Sequence, residues 1–401
     1  MTKPTSTLTT EPATERNTTV ARDVFLVSNS VDELGGITSW SHQVARLFAE
    51  RGHTVHVVGV VPAPEGRRAD LGDDLPYTTT TLYDVHPPSL KALRGLKGKL
   101  DLAERRRRAA REAGMAEQAA KLTRMFRAAR PGAVVIVTQV WAMEWVALAD
   151  TSGLRVVGMS HESFQTCRAS SRFQRVKKYY QDVDRMLALT REDADLWIRQ
   201  RFDNVASMPN PLPFFPEEPS QRTAKQVVSI GRLHEEKGVD MLLDAWSEVA
   251  PRHPDWTLRV YGSGEEEQAL KRQAEELGLG NSVEWMGRTS DVPGVLRESS
   301  LFALSSRGEG FPLALMEAMA TAVPCVAFDV APGVREIITD GENGLVVAPG
   351  NTSEFARRLD ELISDKELRD RMGERARVDI QRYSTDEIMA RWESLFTLLN
   401  R

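Results

Sequence analysis

Residues 300–330 read SLFALSSRGEGFPLALMEAMATAVPCVAFDV, two short apolar runs separated by a polar turn and an apolar helical stretch. Apolar runs of four or five residues without polar alternation suit strands buried on both faces of a parallel sheet. The stretch therefore reads as strand, turn, helix, strand. The same alternation extends in both directions, through KQVVSIGRL, WTLRVYGSG and SVEWMG upstream and GLVVAP downstream. In the first half, DVFLVSNS, a Gly-Gly loop, the helical TSWSHQVARLFAERG and HTVHVVGVV form a βαβ unit, which GAVVIVTQV, LRVVGMSH and the weaker RMLALT continue. Between the halves, MPNPLPFFPEEPSQR carries five prolines and can be neither helix nor sheet interior.

At 401 residues the chain exceeds what one core usually serves. The expected organisation is a Thr-rich disordered tail (1–21) without the apolar centre of a secretory signal, a Rossmann-like domain (22–207), a hinge (208–222), a second Rossmann-like domain (223–383) and a terminal helix (384–401). The helix has an apolar stripe, Ile388, Met389, Trp392, Leu395, Phe396 and Leu399, and is expected to pack back on the first domain. No apolar run approaches the roughly 20 residues that span a bilayer, and a cytoplasmic location is expected. Two cysteines, Cys167 and Cys325, exclude a disulfide framework and a Cys-based zinc cluster; Cys325 reads as core.

In doubly wound sheets ligands bind at the carboxyl ends of strands, and several residues stand there. Arg232 and Lys237 bracket a turn after KQVVSIG and could clamp a diphosphate, or be two solvated cations. Glu309 follows SLFALSS, beside the free amides expected around Gly310, Phe311 and Leu313 at the start of a helix with Pro312 in its first turn. A neighbouring anion and desolvation both oppose a carboxylate there, whereas sugar hydroxyls would suit it. Glu317, one turn further, could hold a second diol or be an ordinary helix glutamate.

GRLHEEKG, then EGFPLALMEAMA with its Glu-x7-Glu spacing, then PCVAFDVAPGVREIITDGENGLVV resemble the retaining family 4 glycosyltransferases of the GT-B fold; the likeness extends to the Gly35-Gly36 loop and MSHES. The resemblance implies a metal-independent enzyme that moves a hexosyl or N-acetylhexosaminyl group from a nucleotide sugar, UDP-linked by its subgroup, to a glycan, lipid-linked or anionic polymer acceptor. By it, Glu309 contacts the donor sugar, Glu317 the ribose, Arg232 and Lys237 the leaving diphosphate, and His161 the sugar or acceptor. Gly36 approaches the diphosphate or acceptor, and Arg288 lies where the backbone reads the base. Many relatives have Gly-Phe-Gly where this chain has Gly310-Phe311-Pro312, one amide donor fewer. An epimerase or phosphorylase on the same fold, or a non-catalytic partner of a transferase, is the alternative. Two Asp-x-Asp strings, 182–184 and 193–195, adjoin helix-like segments and read as solvated faces, so neither metal nor cofactor is expected.

Residues 1–212 hold 30 basic and 24 acidic residues, the remainder 22 and 33. Within 89–130 the count is 13 to 4, including Arg105, Arg106, Arg107 and Arg108 beside a leucine stripe from Leu90 to Leu102. Arg168, Arg172 and Arg175 form a second cluster. The expected partner is an anionic acceptor or an anionic membrane surface touched peripherally at its inner face; no aromatics interleave these cations as nucleic-acid stacking would need.

Overall fold

The computed structural model describes residues 20–72, 74–88 and 101–400. Seven parallel strands build the first sheet: β1 (Asp23–Ser28), β2 (Thr54–Gly59), β3 (Thr78–Thr81), β4 (Val134–Val137), β5 (Arg155–Ser160), β6 (Arg185–Ala188) and β7 (Val205–Ser207), in the order β3-β2-β1-β4-β5-β6-β7. Six build the second: β8 (Gln226–Ile230), β9 (Thr257–Tyr261), β10 (Val283–Gly287), β11 (Leu301–Leu304), β12 (Cys325–Phe328) and β13 (Leu345–Val347), in the order β10-β9-β8-β11-β12-β13. The chain is thus two Rossmann-like α/β domains. Central strands are apolar on both faces, as in VVIV of β4 and CVAF of β12, where every residue is buried. Two edge strands carry little apolar signal. β3 is four threonines, mostly exposed, whose β-branched side chains favour a strand without marking a core face, and β7 is three partly buried residues.

Residues 208–225 contain no helix or strand, and the final helix Thr385–Leu399 crosses back to the first domain. Its Trp392 and Phe396 rings lie 5.6 and 5.3 Å from Phe48 on the helix Gly36–Glu50. Asp386 pairs with Arg51 at 2.7 Å and Glu393 with His53 at 2.8 Å. One hydrophobic cluster consequently runs from Val24 and Ile136 of the first sheet through Phe302 and Met316 of the second domain to Trp392. The outgoing and returning segments touch, the Leu212 amide donating to the Tyr383 carbonyl at 2.8 Å.

A polar contact joins the domains elsewhere. Arg335, on the helix Pro332–Ile337, pairs with Asp329 of its own domain and reaches both carboxylate oxygens of Glu192 in the other at 3.0 Å. The neighbouring Glu336 accepts from the Arg191 amide at 3.1 Å. Exposed pairs contribute about 0.2–1 kcal/mol, so Arg335→Gln should speed amide exchange in the helix Arg191–Ile198 by about 1.4- to five-fold. Glu192→Gln should do the same, and the double variant should add little to either; exchange mass spectrometry reads all three.

Candidate active site between the two sheets

The carboxyl ends of both sheets face one cleft. After β8 the chain makes a single helical turn, Glu235–Lys237, and Gly238 adopts φ 61° to enter the helix Val239–Val249. A side chain at Gly238 would collide with the Ser305 carbonyl just beyond β11, so glycine is required by both conformation and space. The Ser305 hydroxyl donates to the Lys237 carbonyl at 3.2 Å. These contacts bring Lys237 onto the end of β11, where its Nζ lies 2.7 Å from Glu309 Oε1. The Ser306 hydroxyl donates to that same oxygen at 2.6 Å. Lys237 and Glu309 are therefore in direct contact, and the Glu309 side chain is 10% exposed.

Beyond Glu309, Gly310 is wedged between two backbones. A side chain there would overlap the His161 carbonyl of the first domain, and one at Gly333 would overlap the Gly310 carbonyl. Phe311 is buried, edge-on to Tyr383 at 5.2 Å, and its carbonyl accepts from Asn210 Nδ2 at 3.2 Å. Pro312 stands immediately before the helix Leu313–Ala320, not in its first turn, and no side chain caps that N-terminus, leaving its first amides free of intrahelical partners. His161 lies edge-on to the buried Trp40, with ring centroids 4.6 Å apart. Burial lowers its pKa to about 4, so the ring is neutral at pH 7, and its Nε2 is shut off from solvent without a hydrogen-bond partner. Among the described residues none donates to the Glu317 carboxylate, although its main-chain carbonyl accepts from the Thr321 hydroxyl at 2.9 Å, and burial raises the carboxyl pKa to about 7.

Alongside lies a cleft of about 560 Å³ lined from the second domain by Arg232, Arg288, Tyr261 and Gly262, and from the first by Gly35 and Arg67. Arg232 is half exposed and only 3.8 Å from Glu236. Gly36 opens the helix behind Gly35, and side chains at either glycine would meet nothing within 4 Å, so the protein's own packing does not demand glycine there. Arg67 was not anticipated; its signal was the short PEGRR loop, a glycine followed by two cations, which the Gly35-Gly36 reasoning would have caught. Asn210 was hidden in the proline-rich hinge.

The remaining expectations fare unevenly. Asp193 is no solvated residue: it is 1% exposed, accepting from the Phe164 amide at 2.8 Å and from the Thr190 hydroxyl at 2.7 Å. Asp184 accepts from the Val156 amide at 2.8 Å and from Arg155 at 3.0 Å, joining β5 to β6. One residue of each string thus ties elements of the first domain together, while Asp182 and Asp195 are exposed, as expected of a solvated face. Arg172 pairs with Glu162 and Arg175 with Glu144, each at 3.0 Å, so two cations of that cluster are offset by carboxylates, whereas Arg168 is exposed. Arg105, Arg106 and Arg107 are exposed and Arg108 half-buried on the helix Leu102–Arg127, with Arg107 3.7 Å from Glu104. The leucine stripe before Leu102 and most of the tail lie outside the described residues.

Residues 34–213 match the family model Glycosyltransferase Family 4, and residues 213–379 match Glycosyl transferases group 1. The chain is thus composed of a glycosyltransferase family 4 domain followed by a glycosyl transferases group 1 domain. An uncharacterized glycosyltransferase of Haemophilus influenzae is 36% identical over 215 residues, 53% of this chain and 61% of that protein. The poly(ribitol-phosphate) alpha-N-acetylglucosaminyltransferase of Staphylococcus aureus is 28% identical over 243 residues, 59% of this chain and 48% of that protein. The chain therefore matches about half to three-fifths of these relatives' lengths. A Staphylococcus aureus TarM variant, solved with fondaparinux, alpha-GlcNAc-glycerol and UDP, superposes with TM-score 0.75 at 16% identity, covering 94% of this chain and 99% of that one. The shared architecture is GT-B.

Glu317 offers a test of the local environment. Below pH about 4.5 its carboxyl is protonated in both folded and unfolded chains. Between there and about 7 only the folded chain keeps the proton, so the folded state loses stability as pH rises through that window and does not regain it above. Glu317→Gln, neutral throughout, should raise the melting temperature at pH 8 and leave it nearly unchanged at pH 4. The span of the shift sets a ceiling of about 3 kcal/mol on the gain, which scanning calorimetry at the two pH values would measure.

Proposed function

We propose that this chain is a retaining glycosyltransferase that moves a hexosyl or N-acetylhexosaminyl group from a UDP-linked donor to a glycan or anionic polymer acceptor. The carrying observation is the Lys237–Glu309 contact at the carboxyl ends of β8 and β11, beside an uncapped helix N-terminus. Cationic and anionic side chains there meet the opposed needs of a reacting nucleotide sugar. The diphosphate gains negative charge as the glycosidic bond breaks, while the sugar ring gains positive charge. Lys237, Arg232 and the free amides around Gly310, Phe311 and Leu313 face the first; Glu309 faces the second without attacking it.

The acceptor hydroxyl approaches from the face the diphosphate leaves. Its proton passes to the departing phosphate oxygen as the new bond forms, which preserves the anomeric configuration. His161, neutral and with Nε2 unpartnered, is suited to hold a hydroxyl of the sugar or acceptor. Glu317 would meet the ribose diol, and Arg288 the base at the far end of the cleft. The printed names of the relatives, one an N-acetylglucosaminyltransferase acting on a polymer and another solved with UDP, support the donor and acceptor classes.

Glu309→Gln should lower turnover at least ten-fold while UDP binding is retained or tightened, because Lys237 loses its carboxylate partner. Arg232→Ala and Lys237→Ala should instead weaken UDP binding and slow transfer together. EDTA should leave activity in place. Calorimetric UDP titration with an assay of UDP release separates these outcomes, and UDP release independent of acceptor concentration would count against a transferase.

The basic helix Leu102–Arg127 belongs to the same reading as a recruiting surface for an anionic acceptor or bilayer; among the described residues no helix is long and apolar enough to cross a membrane. Replacing Arg105, Arg106, Arg107 and Arg108 with Gln should weaken sedimentation with anionic liposomes or raise the acceptor Michaelis constant, more so at low salt. UDP-sugar affinity, set in the other domain, should not change. Unaltered sedimentation and an unaltered Michaelis constant would return these arginines to ordinary surface.

A further inference from the structure

A sheet edge offers unpaired main-chain donors and acceptors to any further strand, and proteins blunt such edges with charges, bulges or caps. The outermost strands of the two sheets are β3 and β7, and β10 and β13. β10 carries the charged Glu284 and a register shift between Trp285 and Gly287. The Val346 amide of β13 is taken by the Asp340 carboxylate at 2.8 Å. β7 is three residues long, and Glu387 and Arg391 of the terminal helix line the same groove as its Ala206 and Ser207. β3 shows none of these devices: Thr78–Thr81 is uncharged, mostly exposed and in unbroken parallel register with β2.

The strand is also held in place at both ends. Before it, the Tyr77 hydroxyl lies 2.9 Å from His42 Nδ1; after it, the Leu82 and Tyr83 amides donate to the Gly59 and Val60 carbonyls at 2.8 and 3.0 Å. Because Leu82 donates to the last residue of β2, alternation turns the main-chain groups of Thr78 and Thr80 toward β2 and those of Thr79 and Thr81 outward. Among the described residues β3 pairs with no strand but β2, so these outward groups have no sheet partner. Thr78 Oγ1 lies 2.6 Å from His56 Nδ1, His56 stacks on Phe25 at 4.9 Å, and Phe25 meets Phe126 edge-on at 5.1 Å. Thr78 and Thr80 are therefore on the sheet face that the helix Leu102–Arg127 covers.

We propose that β3 is a self-association edge, at which two copies of this chain pair antiparallel about a two-fold axis through Thr80. The occupant is a second copy rather than an unrelated strand because a run of identical residues is its own complement under such an axis. With Thr80 facing its counterpart, Thr79 of each copy faces Thr81 of the other and exchanges both main-chain bonds with it, so every outward group is used. Threonine pairs across strands are themselves favourable. The same register sets Asp84 against Pro76, and no like charges meet between residues 76 and 84. So short a pairing is small, and the dimer forms only as concentration rises. The axis stands perpendicular to the sheet, which puts the arginine-bearing helices of both copies on one side of the joined sheet. The pairing does not depend on the transferase reading.

Sedimentation velocity of the full chain at rising concentration should show a monomer–dimer equilibrium in the wild type. Thr80→Lys and Thr80→Glu each place like charges opposite one another across the axis and should weaken the dimer by about five-fold, whereas an equimolar mixture of the two should restore it. The Cα atoms of a non-hydrogen-bonded antiparallel pair are about 4.5 Å apart, within disulfide reach. Thr80→Cys should therefore give a disulfide-linked dimer on mild oxidation, and Thr78→Cys, also exposed but far from its counterpart, should not; Cys167 and Cys325 are buried and stay out of the reaction. An unchanged melting temperature reports an intact fold in each variant. A wild type that stays monomeric at the highest concentration would overturn the edge pairing. Dimers equally stable in both charged variants, or Thr78→Cys cross-linking as readily as Thr80→Cys, would overturn it too by placing the interface elsewhere.

Discussion

The two domains are set against each other by a stack of main chains with no side chain between them. The His161 carbonyl lies against Gly310, whose own carbonyl lies against Gly333, and neither glycine has room for a methyl group. Backbone contact of this kind tolerates no slack, because interiors are packed at crystal-like density. It fixes the height of Glu309 above the first sheet, places Phe311 under Tyr383 and within reach of Asn210, and holds the start of the helix Leu313–Ala320 open toward the cleft.

Around that stack, charges are shared rather than assigned one to a task. Glu309 holds Lys237 and Ser306 through a single oxygen, Arg232 lies near Glu236, and Arg335 divides itself between Asp329 and Glu192. Each cation can take a further partner only by changing what it does with a neighbouring carboxylate. The histidine and Glu317 are different: burial, not pairing, sets their protonation, and both favour the neutral form over a wide pH range.

Much of this was legible in the chain because buried parallel strands announce themselves as uninterrupted apolar runs, as β4 (VVIV), β11 (LFAL) and β12 (CVAF) did, whereas the central β9 (TLRVY) carries Arg259 and is only half buried. β3 and β7 showed no such run, since an edge strand of threonines has no core face to show. The positions of Arg232, Lys237, Glu309 and His161 at strand ends followed from the same alternation. What could not be read was which of them touch, for Lys237 and Glu309 are 72 residues apart and meet only through the turn at Gly238. Asp193 misled for a related reason: a polar side chain on a short helix looks solvated until the Phe164 amide and Thr190 hydroxyl are folded over it. Arg172 and Arg175 looked like a bare cationic patch because Glu162 and Glu144 lie outside their local sequence.

The chain passes between the domains twice, outward near Leu212 and back near Tyr383, and the two passes are hydrogen-bonded to each other at 2.8 Å. Two bodies joined by one strand can tumble about a point, whereas two adjacent strands leave chiefly a rotation about the line through them. That line lies beside Phe311, which Tyr383 touches directly, so rotation displaces the cleft rim, at Arg67 and Arg288, more than the Glu309 loop near the axis. Opening of the cleft thus need not disturb the Lys237–Glu309 contact, and a swing of a few degrees at the pivot becomes a wide aperture at the rim.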